Sequence, residues 1–326
     1  MRVLVTGGAG YIGSHTAMAL AREGYEPVVL DNLSTGHRRV VKWGPLVEGD
    51  LSDTELVTRV IKQYSIEAVM HFAASLLVGE SMTQPRKYFW NNVVNTLRLL
   101  DTMLETGVKH IVFSSSAATY GYPQTIPIPE SHPALPVNPY GETKLCMERA
   151  MQWYGEAYDL RWMALRYFNA SGADPDGVIG EEHNPETHLI PLVIQAALGK
   201  RPQVDVYGTD YPTPDGTAIR DYIHVVDLAE AHVGVLRHLL GGGECGPLNL
   251  GTGEGHSVRA VIQAVGKFSG GEVPFRDAPR RAGDPPVLVA DPSKARKLLG
   301  WEPKNSSLDA IVSSAWQWHS QHYKGV

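Results

Sequence analysis

Tyr140 and Lys144 stand four residues apart in the stretch Asn138-Pro139-Tyr140-Gly141-Glu142-Thr143-Lys144. On a helix that spacing puts both side chains on one face, with the ammonium beneath the phenol. A free tyrosine titrates near pH ~10 and is a poor base at neutrality. A neighbouring cation favours the phenolate, so the expectation is a pKa drawn toward the working pH, where proton transfer is efficient. In a chain with 14 tyrosines one such pair carries little weight alone, since most are solvated helix faces. Upstream stands Phe113-Ser114-Ser115-Ser116-Ala117-Ala118. Serines at the carboxyl end of a parallel strand line the crevice where such folds bind ligands. Ser116 is therefore the candidate hydroxyl that bonds a substrate oxygen or relays its proton. The competing reading is a serine-rich strand end with satisfied hydroxyls.

Positioning these groups requires a scaffold, and the N-terminus supplies its signature. Gly7, Gly10 and Gly13 lie between a predicted strand, Arg2 to Thr6, and a predicted helix, Ser14 to Glu23. The first glycine permits a tight turn, the second lets backbone approach a pyrophosphate, and the third allows close helix–strand packing. The helix N-terminus then offers unpaired N–H groups to phosphate. Asp31 ends the second predicted strand, where a carboxylate accepts both ribose hydroxyls and repels a 2′-phosphate, favouring NAD over NADP. Arg38 and Arg39 are a small counter-signal. Asp50 and Leu51 follow the third strand as adenine contacts, and Phe72, Ala73 and Ala74 follow the fourth, where small residues let backbone lie against a cofactor. His71 reads as a packed strand-end histidine.

The chain has 326 residues, 43% hydrophobic and 20% charged, enough for about two domains with a substantial core. A net charge of −6 gives no electrostatic reason to expect nucleic acid or anionic membrane as partner. Short apolar runs at Pro45 to Glu48, Ala68 to Phe72, His110 to Ser114 and Trp162 to Tyr167 alternate with helical periodicity at Thr54 to Tyr64, Trp90 to Thr106 and Gly141 to Tyr158. That alternation argues for an α/β fold with a doubly wound parallel sheet of Rossmann type. Beyond Asn169 the texture turns rich in Gly, Pro and Asp. Helices are expected over Leu189 to Leu198, Val226 to Leu240, Pro292 to Leu299 and Ser307 to Tyr323. Pro247 to Leu250 reads as a strand that could return to the first sheet. The expected division is a dinucleotide domain over 1–170 with a return segment at about 226–252, and a smaller, discontinuous substrate lobe over 171–225 and 253–326. Cys146 and Cys245 read as two small buried hydrophobes in a reducing compartment. With no apolar leader or bilayer-length run, a cytoplasmic protein is expected. The 13 histidines show no metal spacing, and His183 and His188 sit in a polar loop without an evident third ligand, so no metal is expected.

The order glycine turn, Asp31, Ser116, Tyr140, Lys144 resembles the extended short-chain dehydrogenase/reductase family, and within it the nucleotide-sugar 4-epimerases. The likeness covers essentially the whole chain. It includes Val5-Thr6-Gly7-Gly8-Ala9-Gly10-Tyr11-Ile12-Gly13, Asn91-Asn92-Val93, Arg166-Tyr167-Phe168-Asn169, Tyr207-Gly208-Thr209-Asp210, Arg220-Asp221-Tyr222-Ile223-His224 and Arg280-Arg281-Ala282-Gly283-Asp284. The resemblance implies NAD-dependent epimerisation at C4 of a UDP-hexose, UDP-galactose to UDP-glucose, through a 4-keto intermediate. Tyr140 would be the base and NAD the transient hydride acceptor. Lys144 would lower the tyrosine pKa and bind the nicotinamide ribose, and Ser116 would bond the reacting oxygen. Tyr11, Ile12, Asn32, Asn92, Ser114 and Tyr167 would complete the cofactor contacts. Arg220 and Arg281 would hold the diphosphate, a role suited to guanidinium, with Asn169 beside them. Asp284 would meet the uridine ribose, Tyr207 the uracil, and His188, Leu189, Asp205 and Tyr222 would line the remainder. A homodimer through Trp90 to Thr106 and Gly141 to Tyr158 is also implied.

Departures from the family pattern are local. Ser75-Leu76 stands where a lysine is frequent, and Thr187-His188-Leu189-Ile190 where some members have Asn-Asn-Leu. Leu288 occupies the position whose size gates the sugar's C2 substituent, and leucine is intermediate, leaving a UDP-N-acetylhexosamine or a UDP-pentose open beside glucose and galactose. A 4,6-dehydratase would need an Asp-Glu pair where Ala117 and Ala118 stand. A non-catalytic NAD-binding regulator would have no need of Tyr140, Lys144 and Ser116 together.

Overall fold

The computed structural model describes residues 1–281 and 283–322. The chain opens with β1 (Arg2–Thr6), α1 (Tyr11–Arg22), β2 (Glu26–Asp31) and β3 (Leu46–Glu48). It continues through α2 (Thr54–Tyr64), β4 (Ala68–His71), α3 (Val78–Thr83), α4 (Pro85–Tyr88) and α5 (Asn95–Thr106). Then come β5 (His110–Ser114), α6 (Pro139–Tyr158), β6 (Arg161–Tyr167), β7 (Asn169–Ser171), α7 (Leu189–Ala197) and β8 (Val204–Tyr207). After these follow β9 (Ile219–Arg220), β10 (Tyr222–His224), α8 (Val225–Leu240), β11 (Gly246–Leu250), β12 (His256–Ser257) and α9 (Val258–Ser269). The tail holds β13 (Phe275–Ala278), β14 (Val287–Leu288), α10 (Ser293–Leu299) and α11 (Leu308–His322).

The expected doubly wound sheet is present. Its strand order is β11-β6-β5-β4-β1-β2-β3, with every pairing parallel. Alternation along β1 shows why both faces are covered. Val3 and Val5 pack with Leu20 of α1 and Leu228 and Leu236 of α8. Leu4, pointing the other way, packs with Val57 and Ile61 of α2, Leu99 and Met103 of α5, and Met147 and Met151 of α6. Burying such a side chain is worth about 1.5–3 kcal/mol. The strand order reverses between β1 and β4, so the crevice above their carboxyl ends is where a ligand belongs.

A second core joins α7, α9 and α11 to β8 through Val193, Val206, Val261, Val265, Ile311 and Val312. Small strand pairs carry the chain between the two cores, with β7 beside β10 and β9 between β12 and β14. β11 pairs with β6, Leu248 opposite Leu165.

Several expected boundaries move. α1 begins at Tyr11, three residues earlier than the predicted Ser14, so Gly13 lies inside its first turn. The run predicted over Trp90 to Thr106 starts at Pro85 and passes through a wider π turn, Phe89–Val94. α9 is absent from the predicted elements, although Val258, Val261, Ile262 and Val265 recur at helical spacing and Ser257 caps its first turn by accepting from Ala260 N at 3.1 Å. The predicted last helix ends at the last described residue, His322, and Tyr323 lies outside the described residues. Cys146 and Cys245 are only partly buried and unpaired, correcting the buried pair expected.

Candidate active site

β1 delivers the glycine turn to the crevice. Gly7 has φ +72°, and a Cβ there would stand 2.6 Å from Ala73 N; at Gly13 it would stand 2.3 Å from Gly7 O. Both positions are closed to any side chain, and the fit brings Phe72, Ala73 and Ala74 against the turn. Gly10 caps α1 with no side-chain hydrogen bond, which leaves the N–H groups of Tyr11, Ile12 and Gly13 for a phosphate. Asp31, at the end of β2, accepts from Ala9 N at 2.9 Å and Leu33 N at 2.8 Å. Its carboxyl is raised above the usual range by burial, against those two bonds. Asn32 donates to Asp50 at 2.6 Å, Asp50 accepts from Ser52 N at 2.8 Å, and Leu51 is buried beside them. These fixed acceptors and bare N–H groups are the donor set a dinucleotide requires.

Across the crevice, Asn138 caps α6 by accepting from Gly141 N at 2.8 Å, and Pro139 fills the first helical position. Tyr140 and Lys144 thus fall in its first two turns. Lys144 is buried and donates to Ser114 O at 2.7 Å; its ammonium lies 5.7 Å from the Tyr140 ring centroid and 4.9 Å from that of Phe113. Burial lowers its pKa to about 7, with Glu148 opposing. Tyr140, partly exposed to the crevice, meets the Tyr88 ring edge-on at 6.5 Å. Its phenol is raised by burial, and the hydrogen bond from Ser116 works the other way. The expected downward shift is therefore corrected: in this arrangement the cation is spent on a backbone carbonyl and desolvation of the phenol wins. Ser116 Oγ also accepts from Ala118 N at 3.1 Å. Ser114 bonds the Tyr167 hydroxyl. Asn92 fixes the loop after β4, accepting from Ser75 N at 2.7 Å and donating to Ser75 O and to Thr143 Oγ1 at 3.0 and 3.1 Å. His71 bridges Thr6 and Thr96 at 2.6 and 2.8 Å and is a packed histidine, as read.

The predicted substrate residues fall into three groups. Arg220 is paired with Asp284, and Leu288 sits opposite Arg220 in the β9–β14 register. Leu288 also packs, like Phe168, against the cluster of Ala117, Tyr120 and Ile128, within the wall that carries Ser116. Arg281 lies over the Tyr207 ring at 4.0 Å. Asn169 pairs with Tyr222 across β7–β10, and Tyr222 is buried, its phenol raised to about 12 by desolvation. Asp205 is bound to Arg276 at 2.5 Å in an exposed pair and is hydrogen-bonded by the Tyr207 side chain. His188 and Leu189 begin α7; His188 is engaged by Glu181 and Glu186 at 3.0 and 2.9 Å. Arg280 binds Asp210 at 2.7 Å as a surface pair.

A family model described as "NAD dependent epimerase/dehydratase family" matches residues 3–251. The chain belongs to this family. A relative from Halalkalibacterium halodurans, named UDP-glucose 4-epimerase, is 53% identical over 100% of this chain and 97% of its own. One of the same name from Rhizobium meliloti is 52% identical over 99% and 98%. The crystal structure of UDP-glucose 4-epimerase from Brucella ovis in complex with NAD superposes with a TM-score of 0.95 at 53% identity, covering 97% of each chain.

Three features of this family member escaped sequence reasoning. Glu148 forms a buried ion pair with Arg166 and accepts from the Ser115 hydroxyl, bracing the strand end that presents Ser116. Its signal was present: Tyr140, Lys144 and Glu148 recur every fourth residue along α6. Asp221 is buried and gathers four donors from two other segments. The third is a correction: His183 and His188, read as lacking a third partner, meet Glu181, whose donor atom lies with theirs inside 4.8 Å.

Proposed function

We propose that the protein is an NAD-dependent UDP-sugar 4-epimerase that interconverts UDP-galactose and UDP-glucose. The reading rests on one juxtaposition: Tyr140, Ser116 and Lys144 converge across the crevice from a glycine turn whose geometry admits only glycine. When bound, NAD supplies a reversible hydride acceptor and the positive charge of its oxidised ring. The turn residues Tyr11 to Gly13 hold its phosphates, Asp31 its adenosine ribose, and Lys144 its other ribose. Tyr140 Oη takes the proton of the sugar 4-hydroxyl, and Ser116 hydrogen-bonds the same oxygen. Because burial raises the phenol, the proton leaves Tyr140 only when positive charge is nearby, which the buried Lys144, its nitrogen 5.7 Å from the ring centroid, would supply. Arg220 and Arg281 hold the diphosphate, so the sugar alone is free to turn over and regain its hydrogen on the other face. The Arg220–Asp284 pair opens as Asp284 takes the uridine ribose.

Ala117 and Ala118 offer no acid to expel water, which sets dehydration aside. Leu288, intermediate in size and packed against the cluster of Ala117, Tyr120 and Ile128, supports a preference for a hydroxyl at C2 over an acetamido group. Purified protein given UDP-galactose, without added NAD, is expected to form UDP-glucose, and to convert UDP-N-acetylglucosamine poorly. Absence of conversion together with absence of nicotinamide released on denaturation would sink the reading.

We infer a homodimer from the exposed Phe89, Trp90, Trp153 and Tyr158, which leave an apolar strip along the π turn and α6. A monomer mass in gel filtration would contradict it. The unpaired Cys146 and Cys245 support a reducing, cytoplasmic setting, which cell fractionation tests.

A further inference from the structure

Between β7 and α7 the chain brings together two histidines and two glutamates, Glu181, His183, Glu186 and His188, that take no part in the proton transfer at Tyr140. Glu181 is only 3% exposed, and its Oε1 has no aligned hydrogen bond among the described residues. That oxygen lies 3.0 Å from His188 Nδ1 and 3.4 Å from His183 Nε2. In a tetrahedral zinc site, with bonds of about 2.0–2.2 Å, neighbouring donor atoms stand about 3.3–3.5 Å apart. Both distances stand near that spacing, and the three ligand atoms lie within 4.8 Å of one another. Glu186 Oε1, held by the backbone N–H groups of Thr187 and His188 at 2.8 Å each, lies 2.9 Å from His188 Nδ1 and adds negative charge beside the three.

We propose that this loop is a binding site for one divalent transition-metal ion, with Glu181, His183 and His188 as ligands and water completing a tetrahedron. Imidazole nitrogens with carboxylate oxygens in a small tetrahedron suit Zn²⁺ or Co²⁺, whereas Ca²⁺ and Mg²⁺ require six or more oxygen donors including water. Two carboxylates, whose charge holds a proton on His188 in the ion-free site, give the cage the charge to hold a dication that displaces that proton. The site is structural. The His183 ring meets Tyr11 edge-on at 6.2 Å, so a bound ion fastens the loop to the first turn of α1, behind the glycine turn.

The test uses the full-length protein, treated with EDTA and dialysed, then titrated with Co²⁺ and, separately, Zn²⁺. One equivalent of Co²⁺ is expected to give the intense visible bands of tetrahedral coordination, and Zn²⁺ to displace it. Both His183→Ala and the isosteric Glu181→Gln are expected to weaken Zn²⁺ binding at least ~100-fold, the upper range for loss of an outer-shell partner alone. Circular dichroism confirms that each variant is folded, and Glu181→Gln decides the matter should His183→Ala be unfolded. Absence of saturable Co²⁺ and Zn²⁺ binding, or binding that folded Glu181→Gln leaves unchanged, would overturn the assignment.

Discussion

Burial works against Tyr140 as a base, and the group that offsets it is the Ser116 hydroxyl at its oxygen, while Lys144, 5.7 Å from its ring centroid, donates to Ser114 O. Replacing Tyr140 with Phe keeps the edge-on contact with Tyr88 and removes only the oxygen that takes the proton. Turnover is expected to fall about 10²- to 10⁴-fold, the usual worth of a positioned base, with bound NAD retained. Near-normal turnover, followed by a coupled UDP-glucose assay, would remove Tyr140 from its assigned role. The identity and spacing of Tyr140, Lys144 and Ser116 were legible because each lies at a fixed offset from a helix start or strand end. The direction of the Tyr140 shift was not, because desolvation depends on what the rest of the chain packs around the phenol. Glu148 was half legible. Its place on the α6 stripe can be read locally, but Arg166 reaches it from a separate strand. The pairing of His188 with Glu181 is likewise set by how the loop folds back and not by any motif spacing.

Strands and helices of the first half could be read because each carries its own pattern: apolar runs buried on both faces, and helices with one apolar stripe. The short strands of the second lobe offer no such signal. β9 and β14 are two residues each, too short for alternation, and they exist because other segments hold them. Asp221 is the principal clamp. Its carboxylate accepts from Thr252 N and Oγ1 at 2.9 and 2.8 Å and from Gly253 N and Ala290 N at 3.1 Å, while its own N–H donates to Leu288 O at 3.0 Å. It thereby ties β10 to the turn after β11 and to the chain beyond β14. Asp221→Ala would strand the buried Ala290 N–H and the half-buried Thr252 and Gly253 N–H groups, at about 1–3 kcal/mol for each left without a partner. A loss on the order of 3 kcal/mol or more is expected in denaturant unfolding. Arg220 next to it should loosen as well, raising KM for the UDP-sugar more than it lowers kcat. Unchanged stability and unchanged KM would show that the clamp is dispensable.

Across the whole molecule, the fold holds several histidines neutral. His71 lies between β1 and the helix after the π turn, His224 begins α8, and His232 sits within it; each is 2% exposed or less. Burial lowers their pKa values from 6.5 to about 3, 4 and 4. Below pH 6.5 the unfolded chain takes up a proton at each of these positions while the folded chain does not, so acid favours unfolding. Each such histidine steepens the loss by up to about 1.4 kcal/mol per pH unit. Asp31 and Asp221 act in the opposite sense, since burial raises their carboxyls and lets the folded chain bind protons first. That compensation sets in above the ordinary carboxylate value of 3.8 and offsets part of the loss from the histidines. With three histidines against two carboxyls, stability should hold near neutrality and fall as the pH drops from 6.5 toward 4. His71→Gln, which keeps a bond to Thr6 or Thr96 without a titrating ring, should make that fall shallower by about one proton. Urea unfolding measured at successive pH values reads the slope directly. A flat profile, or a slope that His71→Gln leaves unaltered, would mean that these histidines do not carry the acid sensitivity.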